Sequence, residues 1–293
     1  MMTTVEPVRI DRSPGHDARR RVAALISALA LVAVSLSVAA GPVDAAALPS
    51  CRIADKLTKL HSRSDWDRTL LDTTYRLPKT YRPVGLISVR SAGLPGGGSI
   101  RRVALKDLRA LVRASRKAGA RLAAESTYRS YTTQVWTFAR WVHLGGPAAA
   151  LESSARPGHS EHQLGTTIDF KSIGGPAPWT SDWGRTREGA WLKKNAWRYG
   201  FVMSYPAGKK SVTCYRYEPW HFRYVGRDIA ARVHASGKTL RQVLWQLQSS
   251  PVEPPPTPTP TPDPTGTPEP TATPGPTPTA TPEPTATEAP SGP

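Results

Sequence analysis

Apolar residues in the middle of the chain recur with helical spacing in some stretches and with strand alternation in others. The 3.6-residue period predicts helices over 104–118, closed by Gly119, 132–142, 187–198, stopped by Gly200, 227–235 and 240–247. Between them, 121–128, 166–171, 201–205 and 217–224 are rich in β-branched and aromatic residues and read as strands. This mixed order predicts an α+β fold, a small antiparallel sheet with helices packed on it. Trp136, Trp141, Trp191 and Trp197 fall at helical positions and are expected in the core.

Two short segments within this pattern carry chemistry. One runs from Ser160 through Glu161, His162 and Gly165 to Asp169; the other is Glu218-Pro219-Trp220-His221-Phe222-Arg223-Tyr224. His162, Asp169 and His221 offer three N or O ligands, the number a catalytic zinc takes while leaving a position for water. Glu218 is then a carboxylate free to move protons. Gly165 and the run Thr166-Thr167-Ile168 suit a turn entering a strand, which would put Asp169 on a strand and His162 on the loop feeding it. In a regular strand Glu218 and His221 would face opposite sides, so a break at Pro219, which cannot donate to a ladder, is needed to bring them together. His159 is expected at the rim of the pocket, and Glu161 as a supporting or exposed group. His61, His143 and His234 are expected to be structural or solvated.

The pattern Ser-x-His-x-x-Gly-x-x-x-Asp followed by Glu-x-Trp-His-x-x-Tyr resembles the zinc D-alanyl-D-alanine carboxypeptidases related to the vancomycin-resistance protein VanY. The resemblance covers residues 70–226 and includes three further blocks, Ser126-Thr127-Tyr128-Arg129-Ser130-Tyr131-Thr132-Thr133-Gln134, Ala155-Arg156-Pro157-Gly158 and 199–206. It implies a fold shared with DD-peptidases and hedgehog-like domains, with one zinc at the sheet. It also implies zinc ligation by His162, Asp169 and His221, and a general acid and base at Glu218. Arg129 would contact substrate and stabilise the tetrahedral intermediate, and Ser160 would contribute to the pocket. Gln134, Trp220 and Tyr224 are further candidates for lining it. The chain departs from the family at Thr167, often alanine there, and at Cys214, commonly glycine.

The flanks bear on compartment. Arg19, Arg20 and Arg21 precede the apolar run 22–40 and small residues around 43–47, so residues 1–47 read as an export signal, or as an uncleaved membrane anchor. Either places the domain 48–250 outside the cytoplasm. The two cysteines, Cys51 and Cys214, are expected to form a disulfide; the rival reading is lipidation of Cys51 in Leu48-Pro49-Ser50-Cys51. Residues 251–293 are a Pro-Thr repeat, expected to be an extended, disordered spacer.

Lys and Arg number 39 against 22 Asp and Glu, a net charge of +17, and the tail holds acids but no bases, so the domain itself is strongly basic. That favours anionic wall polymers or a membrane surface as neighbours. Nucleic acid is excluded by the export signal and by the lack of any nucleic-acid motif. The leading expectation is an exported zinc carboxypeptidase that removes terminal D-alanine from peptidoglycan stem peptides. The alternatives are a D-alanyl-D-alanine dipeptidase or peptidoglycan endopeptidase on the same scaffold, and a non-catalytic zinc-containing wall-binding module.

Overall fold

The computed structural model describes residues 47–179 and 181–249; the expected export signal up to residue 46 and the Pro-Thr tail lie outside the described residues. The strands are β1 (Lys56–Leu57), β2 (Tyr75–Arg76), β3 (Leu86–Ser88), β4 (Ser99–Arg101), β5 (Leu122–Ser126), β6 (Thr167–Ser172), β7 (Phe201–Met203) and β8 (His221–Tyr224). The helices are α1 (Leu105–Lys117), α2 (Tyr131–Ser153), α3 (Arg187–Asn195), α4 (Lys210–Thr213), α5 (Gly226–Ser236) and α6 (Leu240–Ser249). Among the described residues no helix is long and apolar enough to cross a membrane.

The central sheet has the order β5-β6-β8-β7, antiparallel throughout. Strand alternation divides it into two unlike faces. Ile168 and Phe170 on β6, Phe222 and Tyr224 on β8 and Phe201 on β7 join Leu108, Leu111 and Val112 of α1 and Leu192 of α3 in the main apolar core. Each of these buried aromatic or aliphatic side chains contributes roughly 1.5–3 kcal/mol of burial energy. Thr167, Asp169, His221 and Arg223 occupy the other face and are nonetheless buried. Val202 joins a second cluster beneath α5 and α6.

Several expectations are corrected here. The segment 217–220 is not strand: β8 begins at His221, whose N–H donates to the Glu218 carbonyl across a turn containing Pro219. The helix expected over 132–142 runs on to Ser153 as two stretches that meet at Gly146 (φ 79°, ψ 166°), with Pro147 opening the second. Trp136 is not core but 72% exposed, because the amphipathic stripe of this helix is weak and its other side lines a cleft. The parallel pair β1-β2 and the hairpin β3-β4 are too short to leave a periodic signal.

The expected disulfide is present: Cys51 and Cys214 are bonded, with Cα atoms 5.3 Å apart. Cys214 has φ 73°, a left-handed conformation that the glycine implied there by the resemblance would adopt without a Cβ penalty. Near it the buried Arg241 pairs with Asp72 at 2.7 Å and donates to the carbonyls of Pro49 and Val212, tying α6 to both partners of the bridge.

Candidate metal centre

Asp169 and His221 are direct cross-strand partners on β6 and β8, so backbone register alone sets their side chains together. His162 arrives on a 3-10 turn, Glu161–Leu164, capped by the Ser160 hydroxyl and closed by Gly165 at φ 73°. A Cβ on Gly165 would also press on Leu86, Pro83 and Arg101 at 3.1–3.2 Å, so glycine is required there twice over. His162 Nε2 stands 3.1 Å from Asp169 Oδ2, and His221 Nδ1 stands 3.1 Å from Asp169 Oδ1. All three side chains are buried, and one donor atom from each lies within 4.8 Å of the others.

The far side of each imidazole is anchored. His162 Nδ1 donates to the Thr127 carbonyl at 2.7 Å, leaving its Nε2 lone pair facing Asp169. Two acceptors cannot face each other at that distance without a proton or a cation between them, and this is the observation that the donor set fits a metal. His221 Nε2 lies 3.0 Å from Glu161 Oε2, which leaves Nδ1 for the centre. Glu161 is fully engaged, taking the Ser204 hydroxyl at 2.5 Å and the buried Arg223 guanidinium at 2.9 Å. Carboxylate–histidine arrangements of this kind orient a ligand and raise its basicity.

Charge shifts follow from these contacts. Burial, and then the Arg129 charge, press His162 down to about 4. Burial works against the charge of His221 too, but its bonds to Asp169 and Glu161 outweigh it and raise the ring to about 10. Burial would raise Asp169; the two histidines instead hold it far below the usual carboxylate range. Glu161 is held at about 2 against its burial, chiefly by Arg223.

Glu218 sits in the turn before β8 with 13% of its side chain exposed and Oε2 3.5 Å from His221 Nδ1. Burial pushes it up to about 8, only partly offset by His221. Arg129 faces the same space; its Nε is buried without a partner, and burial lowers its pKa while Asp169 and Glu218 favour its charge. The cleft measures about 980 Å³ and is lined by Arg129, Gln134, Ser160 and Trp220 with the metal-binding group and Glu218. Trp179 packs edge-on against Trp220, with ring centroids 5.6 Å apart, to form one wall.

Two sequence-based placements fail. Tyr224 does not line the cleft: it lies three residues after His221 on a regular strand and therefore points to the opposite face, where its hydroxyl donates to Asp107 at 2.9 Å. His159 is not at the rim but fully buried, with Nδ1 2.7 Å from the Asp72 carbonyl and Nε2 3.0 Å from Asp55. Gln134 does line the cleft, although its amide nitrogen is spent on the Ala155 carbonyl at 2.7 Å. Arg223 and Ser204, which hold Glu161, were missed. The available signal was a positively charged residue in a strand whose other residues, His221, Phe222 and Tyr224, are all aromatic.

The profile of the VanY D-alanyl-D-alanine carboxypeptidase family matches residues 98–227. LdcB, an LD-carboxypeptidase whose structure reveals peptidoglycan recognition, is 30% identical and superposes with a TM-score of 0.57 over 67% of this chain and 98% of its own. This chain belongs to the VanY family. A mutant of the D,D-pentapeptidase VanY from a VanB-type resistance cassette, in complex with Zn(II), is 29% identical with a TM-score of 0.52, covering 61% of this chain and 99% of the other. YodJ of Bacillus subtilis (strain 168) is 37% identical over 177 residues, 59% of this chain. The chain spans 65% of the length of that curated relative. The family assignment agrees with the α+β architecture described above and with a sheet-borne His/Asp metal-binding group.

Proposed function

We propose that this protein is an exported zinc D-alanyl-D-alanine carboxypeptidase that removes the terminal D-alanine of peptidoglycan stem peptides, with one zinc per domain held by His162, Asp169 and His221. The observation that carries the reading is Glu218, a carboxylate in the cleft with Oε2 3.5 Å from His221 Nδ1, beside the three-ligand group and not one of its members. A purely structural site has no use for such a group. Zinc, when bound, supplies a Lewis acid for the scissile carbonyl and an acidified water.

The chain's own residues do the rest. Glu218 accepts a proton from the attacking water, whose oxygen adds to the carbonyl carbon of the penultimate residue. It then returns that proton to the amide nitrogen as the C–N bond breaks, releasing free D-alanine. The unpartnered Arg129 guanidinium is placed to bind the substrate's terminal carboxylate or the developing oxyanion. Ser160, Gln134 and Trp220 shape the wall that orients the peptide. The export signal, the tail as a spacer and the disulfide fit a domain working in the wall.

A second reading rests on the likeness to LdcB: the same chemistry applied one bond earlier, on a stem already shortened to a tetrapeptide. Mass-spectrometric product analysis decides between them. The zinc-loaded protein is incubated with muramyl pentapeptide and with muramyl tetrapeptide. Loss of one alanine from the pentapeptide, stopped by chelator and restored by zinc, is the expected result; loss from the tetrapeptide alone would move the assignment to the L,D bond, and no cleavage of either would sink both.

A further inference from the structure

The cations of α1 are arranged in a way the peptidase chemistry does not use. Lys106, Arg109, Arg113, Arg116 and Lys117 are all exposed, and at 3.6 residues per turn they fall within an arc of about 100° running about 16 Å along the helix. The opposite arc, Asp107, Leu108, Leu111, Val112 and Ser115, is buried against the sheet. Arg109 and Arg116 are held in place by donating to the Ser91 and Gly93 carbonyls of the neighbouring loop. The side chains of Lys106, Arg113 and Lys117 make no hydrogen bond or ion pair among the described residues.

This is not the ordinary mixture of surface charge. Apart from Asp182 and Asp228, every acidic side chain among the described residues has a polar partner elsewhere, as Asp55 does in Arg156, Asp72 in Arg241, Glu125 in Lys171 and Glu152 in Lys210 and Arg216. The acid of α1 itself, Asp107, is turned inward to Arg227 and Tyr224. No acidic side chain among the described residues pairs with a cation of the stripe.

We infer that the exposed face of α1 is a docking surface for a linear polyanion, a polymer with phosphodiester charges repeated along its length. Charge complementarity and a rod-like row of cations favour a chain that can lie along the helix and release its counterions. A lipid bilayer is the weaker fit, because none of the large exposed apolar residues of the domain lies on α1 and the helix has nothing to insert. Since α1 covers the sheet face opposite Asp169 and His221, a bound polymer leaves the cleft open. The inference is independent of the peptidase reading.

The test compares wild-type protein with K106Q/R113Q/K117Q and with a control of equal charge, K56Q/K59Q/K238Q, all six residues being exposed. Binding of a defined poly(glycerol phosphate) chain is measured by calorimetry across a salt series, alongside sedimentation with phosphatidylglycerol vesicles. Expected is a loss of at least about tenfold in affinity for the α1 variant, with the log–log salt slope lower by about 2 at ~0.7 per lost contact, while the control changes less than about twofold. Equal losses in the two variants would overturn the inference in favour of diffuse charge. Vesicle binding lost in the α1 variant, with no polymer binding by wild type, would overturn it in favour of a membrane surface.

Discussion

The two faces of the central sheet both bury carboxylates, and they treat them in opposite ways. On the back, Asp107 Oδ1 takes both Nε and Nη2 of Arg227 at 2.9 and 2.7 Å, while Oδ2 takes the Tyr224 hydroxyl at 2.9 Å. Charge is cancelled and each oxygen is bonded. On the front, Asp169 and Glu218, the latter pushed up to about 8, share a pocket with two imidazoles and an Arg129 Nε that has no partner. A group arranged only for stability would resemble the back. Perturbed and unsatisfied groups gathered in a cleft mark the side where binding and chemistry take place.

The strongest way to break this contrast is Glu218→Ala. It is expected to lower turnover about 10²–10⁴-fold while zinc stays bound, as read by single-turnover kinetics and metal analysis; turnover at the wild-type rate would refute the mechanism. Glu161→Gln attacks the support of His221 instead. Zinc affinity, measured by chelator competition, should weaken about 10–100-fold, with the melting temperature recorded separately to account for the loss of charge opposite Arg223. On the back, Asp107→Ala should cost about 1–3 kcal/mol in denaturant unfolding, since it orphans the Tyr224 hydroxyl and frees Arg227, and should leave zinc affinity untouched.

The smallest effect concerns pH. Its bonds to His159 and Arg156 lower the pKa of Asp55 below 3.8. The unfolded chain therefore binds this proton more readily, so the stability it contributes is full above 3.8 and is lost as pH falls below that value. The denaturant midpoint should drop more between pH 5 and 3 in wild type than in Asp55→Asn; parallel curves would remove Asp55 from the account.

The main helices and the sheet strands were legible because their apolar periods are long enough to count. The residues of the candidate metal-binding group were legible because two dense motifs carry them, and the break at Pro219 followed from the strand period itself. The same rule, applied to His221 and Tyr224, would have placed Tyr224 on the back of the sheet; motif proximity was given more weight than geometry there. His159, Glu161 and Arg223 were opaque for a different reason. Their partners lie far away in sequence: His159 meets Asp55 and Asp72, and Arg223 reaches the carbonyls of Trp66 and Thr69, contacts that local pattern cannot encode. Trp136 misled because helical spacing identifies a stripe but not which side of a cleft wall it faces.

The bond between Cys51 and Cys214 closes a ring with a sequence separation of 163 residues. That ring carries Arg129, His162 and Asp169, while Glu218 and His221 follow just outside it. If a protease clips an exposed loop inside the ring, the fragments remain one covalent molecule, with the residues on either side of the cut still fastened together. Durability of this kind is invisible in a melting curve of the intact chain.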